Sequence, residues 1–274
     1  PHLPTVARRR PGFAGLNMTS STTAKGRLFL VPAPLDFMCQ TQAPLNQVMP
    51  EGTLRIASQL DHWVCENAKS TRALLKRMGE VLPLKSVLQD QHIAELPRLV
   101  HKKGDHAAGI DTGALLAPAL QGHDMGLVSE AGMPAVADPG SSLVRAAHDA
   151  GIEVIPLVGP CSLLLALAAS GLNGQQFAFN GYLPQDAALR TQRIQALEKR
   201  ALSSGETQIF IETPYRNEAL LAALLHGLQT STRLCLCSNL SLADMQVQSL
   251  RVADWKKKGQ VPDKHSPVVF AFGP

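Results

Sequence analysis

The chain has 274 residues, of which 45% are hydrophobic and 18% charged, a balance that fits a folded, water-soluble protein and excludes a disordered one. Its formal net charge of +4 is local: Arg8, Arg9, Arg10 and Lys25 stand in an acid-free start, and the remainder balances at 22 basic against 22 acidic residues. Global charge therefore gives no support to a nucleic-acid-binding surface, and aromatic residues at 4% remove the usual stacking platforms for single strands.

Residues 1–26 read as a flexible basic tail without the apolar stretch of a secretion signal. Arg27 to Val31 is a short apolar strand that stops at Pro32-Ala33-Pro34, the way a ligand-binding α/β unit opens. Leu54 to Ile56 and His62 to Cys65 are weaker strand candidates, and an amphipathic helix runs from Ser70 to a stop at Gly79. Leu96, Leu99 and Val100 suggest a helix or loop over the sheet, and His92, His101 and His106 show no metal-ligand spacing. Ala114 to Leu120 is helical. The central strand then runs into a loop, Gly126 to Gly140, that combines small residues with the carboxylates of Glu130 and Asp138.

That loop has no Lys, no Arg and no phosphate-cradle pattern, so it suits a cationic or uncharged ligand better than a polyphosphate. S-adenosylmethionine, with its sulfonium and amino groups, is one such ligand. A helix follows from Ser141 to Ala150, then a buried strand over 152–158, the turn Gly159-Pro160-Cys161-Ser162 and an apolar helix from Leu163 to Ala169. This alternation predicts parallel βαβ units. The apolar run from Ile155 to Leu172 is broken by Pro156, Gly159 and Pro160, so no membrane span is expected.

Beyond Leu172-Asn173-Gly174 the pattern changes. Strands are expected at 177–179, 208–211, 234–237, 247–252 and 267–272, with helices at 190–202 and 218–228, and Lys256 to Lys258 in a solvated turn. The organisation expected is an N-terminal α/β domain over 27–173 and a C-terminal α/β domain with a mixed sheet over 174–274. The five cysteines are scattered and odd in number; no metal site is expected from them, and a reducing cytoplasm is the simplest setting. Cys235 and Cys237 fall on one face of a strand, as small buried hydrophobes.

Five motifs stand in one order: Ser129-Glu130-Ala131-Gly132-Met133-Pro134 with Asp138-Pro139-Gly140; Val158 to Ser162; Ser170-Gly171-Leu172; Gly181-Tyr182-Leu183-Pro184; and Glu212-Thr213-Pro214-Tyr215-Arg216. In order and spacing they resemble the tetrapyrrole methylase superfamily, and within it the members that methylate ribosomal RNA. The resemblance covers about residues 27–225. It implies S-adenosylmethionine bound in a cleft between two α/β domains, a homodimer, and a ribose 2′-hydroxyl of small-subunit ribosomal RNA as methyl acceptor. A tetrapyrrole carbon, or a binding protein without catalysis, is the alternative.

Carried over by motif, the cofactor positions are Pro32, Ala33 and Pro34; Ser129, Glu130, Ala131, Gly132, Met133 and Pro134; Gly159, Pro160, Cys161 and Ser162; Leu183 and Pro184; and Glu212, Thr213 and Pro214. Two of these stretches also read without a ligand, Gly159–Ser162 as a tight turn and Glu212–Arg216 as a helix start. A ribose hydroxyl is a weak nucleophile that gains from a base or a nearby cation, so Glu66, Lys69, Tyr215 and Arg216 are the catalytic candidates. Two departures from the family are visible. Its first loop continues Ile-Gly-Asn where this chain has Leu35-Asp36-Phe37, and it carries Glu-Asp-Thr-Arg where this chain has Glu66-Asn67-Ala68-Lys69.

Overall fold

The computed structural model describes residues 24–97, 111–259, 262 and 264–274. Most of the expected tail, together with Leu99, Val100, His101 and His106, lies outside these residues. Five short apolar segments form the first sheet: β1 (Leu28–Val31), β2 (His62–Cys65), β3 (His92–Glu95), β4 (Met125–Val128) and β5 (Val154–Pro156). All pair in parallel, in the order β3-β2-β4-β1-β5. β1 therefore lies between β4 and β5, and the loops leaving these three strands emerge side by side.

Side chains alternate between the two faces of the sheet with the two-residue period of the pleat, and both faces are covered. Phe29, Val31, Trp63, Cys65 and Val128 pack beneath α1 (Leu45–Val48), α2 (Glu51–Ser58) and α3 (Ala68–Val81). Leu28, Val64, Met125 and Leu127 face the other way, against α4 (Thr112–Leu120) and α5 (Ser141–Asp149). The end of the expected tail is already tied to this layer, since Gly26 N–H donates to Ala119 O at 2.8 Å and Lys25 Nζ to Ala150 O at 2.7 Å.

After α6 (Ser162–Ser170) come β6 (Phe177–Phe179), α7 (Ala187–Ser204), β7 (Thr207–Glu212), α8 (Asn217–Gly227), β8 (Arg233–Ser238), β9 (Gln246–Arg251), α9 (Val252–Lys258) and β10 (Val268–Gly273). The second sheet has the order β6-β7-β10-β8-β9 and is mixed: β6 runs parallel to β7 and the other pairs are antiparallel. One face, with Phe210, Leu234, Leu236, Phe270 and Phe272, is covered by α7, α8 and α9. The opposite face, with Ile209, Cys235, Cys237, Val269 and Ala271, receives Leu163, Ala166 and Leu167 of α6 and Leu35 from the loop after β1. The fold is thus α/β, a parallel sheet followed by a mixed one, as the sequence leads one to expect.

Three local expectations change. Leu54 to Ile56 belongs to helix α2, because Pro50 occupies the N-cap and Thr53, Leu54, Ala57 and Ser58 are buried at helical spacing; the alternation Leu54-Arg55-Ile56 imitates a strand and is too short to reveal that period. The helix expected from Ser70 starts at Ala68, where Asn67 Oδ1 accepts from Lys69 N–H at 2.9 Å, and continues through Gly79 to Val81. A glycine inside a helix costs about 1 kcal/mol, which the packing of Leu74, Leu75 and Met78 outweighs. Lys256 to Lys258 form the last turn of α9, anchored by Trp255 Nε1–H donating to Leu234 O at 2.8 Å.

Gly126 in β4 lies across from Trp63, whose indole N–H is held by Gln91 Oε1 at 2.8 Å. A Cβ at this glycine would stand 2.5 Å from two ring carbons of Trp63 and 3.2 Å from Leu60 Cδ1. Gly126→Ala should therefore lower stability by about 1–3 kcal/mol through overpacking. Chemical denaturation checks this, and an unchanged midpoint would mean that the tryptophan yields freely.

Candidate active site

The loops leaving β1 and β4 are joined by backbone. Ala33 N–H donates to Gly132 O at 2.9 Å and Gly132 N–H to Ala33 O at 3.0 Å. Gly132 holds φ +73°, a left-handed conformation in which glycine is unstrained. The loop leaving β5 closes on the same place, since a Cβ at Gly159 would lie 2.3 Å from Pro32 Cγ. Thr53 of α2 fixes that third loop from behind, its hydroxyl donating to Val158 O at 2.6 Å.

Two cavities open around this junction. One, of about 420 Å³, is the more polar of the two and lies between the β1 loop and α3, with Asn67, Lys69, Ser70, Arg77, Ser129 and Glu130 on its wall. The other, of about 310 Å³, is largely apolar and is walled from both sheets, by Ala131, Ser162, Tyr182, Thr213, Cys237 and Val269 among others. Phe37 and Met38 stand in the wall of both.

Carboxylates gather at the junction. Glu130 N–H donates to Glu66 Oε2 at 3.1 Å, and Glu130 Oε1 accepts from the Ser70 hydroxyl at 3.1 Å. Asp138 is pushed up to about 7, chiefly by burial and then by the charge of Glu66; Glu130 adds to this and the Ser129 hydroxyl opposes it. From the second sheet, the Tyr182 phenol is raised by burial and by the charges of Asp138 and Glu212, with Arg216 acting against them. Glu212 is itself engaged: its Oε1 accepts from Thr213 N–H at 2.7 Å and from Arg216 Nε at 3.0 Å.

Known proteins with this arrangement identify the family. The family model for tetrapyrrole (corrin/porphyrin) methylases matches residues 49–255. The chain belongs to the tetrapyrrole methylase family. It is accordingly a methyltransferase. It is similar to the ribosomal RNA small subunit methyltransferase I of Pseudomonas aeruginosa, 30% identical over 90% of this chain and 79% of that protein. The protein of the same name in Mesorhizobium japonicum is 33% identical, over 81% of this chain and 70% of that one. Among solved structures, the uroporphyrin-III-C-methyltransferase of Thermus thermophilus matches 91% of this chain and 94% of its own, with a TM-score of 0.52 at 20% identity. At that identity the likeness shows the fold alone.

Of the positions marked by the family motifs, Ala131, Ser162, Glu212, Thr213 and Pro214 wall the apolar cavity, while Ala33, Pro34, Ser129, Glu130 and Lys69 wall the polar one. Pro32, Gly132 and Gly159 form the junction itself. Met133, Pro134, Pro160, Cys161 and Pro184 contribute to neither wall, and Leu183 turns into the core of the second sheet. Its neighbour Tyr182 reaches the cavity instead. Tyr215 points to solvent and Arg216 is committed to Glu212 at 2.7 Å, so of the four catalytic candidates Glu66 and Lys69 stand at the junction. Sequence reasoning singles out the Asp138 carboxylate in its loop but passes over Phe37, Met38, Arg77 and Tyr182 as site residues. The phenol lies inside a quoted motif, and its residue type was the available signal.

The Asp138 carboxyl holds its proton to about pH 7 when folded, against an ordinary value of 3.8. Between those values the unfolded chain binds fewer protons than the folded one, so this group's contribution to stability falls as pH rises from about 4 to about 7. Relative to Asp138→Asn, the wild type should lose thermal stability between pH 5 and pH 7.5, by roughly 2–4 °C in Tm for each 1 kcal/mol. Parallel Tm-against-pH curves for the two proteins would contradict the assignment.

Proposed function

We propose that the chain is an S-adenosylmethionine-dependent methyltransferase that methylates a ribose 2′-hydroxyl of small-subunit ribosomal RNA. The observation that carries the acceptor is the alignment, along nine-tenths of the chain, with a protein named ribosomal RNA small subunit methyltransferase I. The structural likeness to tetrapyrrole enzymes does not compete with it, because 20% identity speaks for the fold and not for the substrate.

The residues present fit the methyl donor. An apolar cavity of about 310 Å³ with small residues at Ala131 and Ser162 suits an adenosyl group, which needs close approach of backbone. The neighbouring cluster of Glu66, Glu130 and Asp138 favours positive charge, as the raised Asp138 carboxyl shows, and a sulfonium and an ammonium both relieve that repulsion. When bound, S-adenosylmethionine supplies an electrophilic methyl group on sulfur. The chain's own contribution is to hold two ligands in line across the loop junction and to exclude water, which is where most of the acceleration of such a displacement arises. The acceptor hydroxyl must lose a proton, and Glu66 and Asp138 are the carboxyls near the junction available to take it. Lys69, exposed on the wall of the polar cavity, is suited to an RNA phosphate.

Two copies of the chain form the assembly this reading implies. Val158, Leu164 and Leu165, large apolar side chains left exposed beside the junction and on α6, support such a contact.

Calorimetric titration with S-adenosylmethionine should show saturable binding, weakened at least about tenfold by Ala131→Leu, which fills the apolar cavity. Absence of binding at millimolar ligand would remove the donor. With radiolabelled donor, label should enter 16S ribosomal RNA of small subunits taken from a strain lacking the modification, in a form resistant to alkaline cleavage. Binding without incorporation would set the RNA acceptor aside while leaving the donor site intact.

A further inference from the structure

The wall shared by the two cavities is made by Phe37 and Met38, the middle of the turn Asp36-Phe37-Met38-Cys39. Cys39 N–H donates to Asp36 O at 3.1 Å, closing a turn in which Met38 is the third residue. Met38 has φ +61°. Glycine and asparagine usually fill a turn position with positive φ, and an unbranched hydrophobic side chain is out of place there. Packing does not explain it, for the Met38 side chain is 75% exposed and Phe37 is 37% exposed.

The turn is nevertheless held firmly from behind. Asp36 is buried, and its two oxygens accept from Arg77 Nη1 at 3.0 Å and Nη2 at 2.8 Å, a bidentate pair of fixed geometry. Arg77 Nη2 also donates to Ala43 O at 2.8 Å, tying the pair to the far end of the segment. Leu35, one residue earlier, is anchored in the cluster against the second sheet. A conformation that the sequence disfavours is thus fixed on both sides while its side chain is left free, projecting where the apolar and polar cavities meet.

We propose that Met38, with Phe37 beside it, is the specificity surface on which the base of the acceptor ribonucleotide packs, with Asp36 and Arg77 as its positioning pair. This rests on the methyltransferase reading given above and names the part of the acceptor that the site grips. A planar base needs an apolar face at the mouth of the donor cavity, and recognition of unpaired RNA bases by apolar and aromatic side chains is the general mode. The rest of the polar cavity suits the ribose and phosphate. Its wall offers Asn67 and Ser70, and Lys69 brings a cation that no carboxylate side chain engages among the described residues. Arg77, the other cation there, is already matched by Asp36.

The test uses the positive φ itself. Met38→Gly and Met38→Asn both suit the turn, so neither variant should unfold the chain, and Tm should stay level or rise. Each removes the apolar side chain. With small ribosomal subunits as acceptor, the KM for subunits should rise about tenfold, the scale of one buried methionine side chain, while the affinity for S-adenosylmethionine measured by calorimetry stays within about twofold. Met38→Leu should restore the wild-type KM. An unchanged KM for both variants overturns the proposal. A parallel loss of donor affinity does so too, because it would make Met38 part of the donor site. If the wild type neither binds nor methylates subunits, the acceptor reading and this proposal fall together; if it does both and the variants match it, only this proposal falls.

Discussion

Two backbone hydrogen bonds, between Ala33 and Gly132, are the constraint on which the rest of the site depends. They weld the loop after β1 to the loop after β4 at the carboxyl edge of the parallel sheet, where such folds bind their ligands. Once welded, the loops come too close for side chains. Gly159 packs directly on Pro32, and a Cβ at Gly132 would press on Leu35 Cδ2 at 3.3 Å. The small-residue composition of all three loops follows from this contact. So does the placement of Leu35, which the weld directs into the cluster that α6 makes with the second sheet. One backbone pairing therefore sets both the floor of the site and the packing of one sheet against the other.

The same junction concentrates negative charge. Glu66, Glu130 and Asp138 are brought together by two loops, those after β2 and β4, and Asp138, pushed up by burial and by the charges of the other two, keeps its proton to about 7. A cluster of this kind costs stability in the free protein and is relieved by a cation, which couples ligand charge to the protonation of the site. Tyr182 extends the coupling to the second sheet, because its phenol senses Asp138 and Glu212 together. Arg216 does not discharge the cluster; its guanidinium is occupied by Glu212 at 2.7 Å.

Much of this was legible in the sequence, for definite reasons. Short apolar runs marked β1, β2 and β4, the first of them stopped by Pro32, and ordered motifs marked the loops that meet. What was not legible turns on direction and conformation. Helix α2 escaped because Leu54-Arg55-Ile56 alternates as a strand would and is too short to carry the helical period, and its start is set by Pro50 rather than by a capping side chain. Leu183 and Tyr182 are adjacent in one motif, yet only one of them can face the cavity, and the core of the second sheet takes the leucine. The left-handed conformation of Met38 has no sequence signature, since the residue type argues against it.

The departures from the family motifs are informative once their structural duties are known. At position 67 the family has Asp and this chain has Asn, but the duty is to cap α3, with Oδ1 accepting from Lys69 N–H at 2.9 Å. Either residue performs that equally well. The change therefore leaves the fold untouched and removes one negative charge next to Glu66, in a cluster already crowded with carboxylates. At 36 the reverse holds. A glycine in the family's loop is replaced by a buried aspartate that Arg77 of α3 holds as its partner. Both departures lie on the wall of the polar cavity. None falls on the Ala33–Gly132 weld or on the small residues of the apolar cavity. Leu35 and Phe37, the other changed positions of the first loop, also wall the apolar cavity, so the departures reach both cavities while the backbone weld between them keeps its residues.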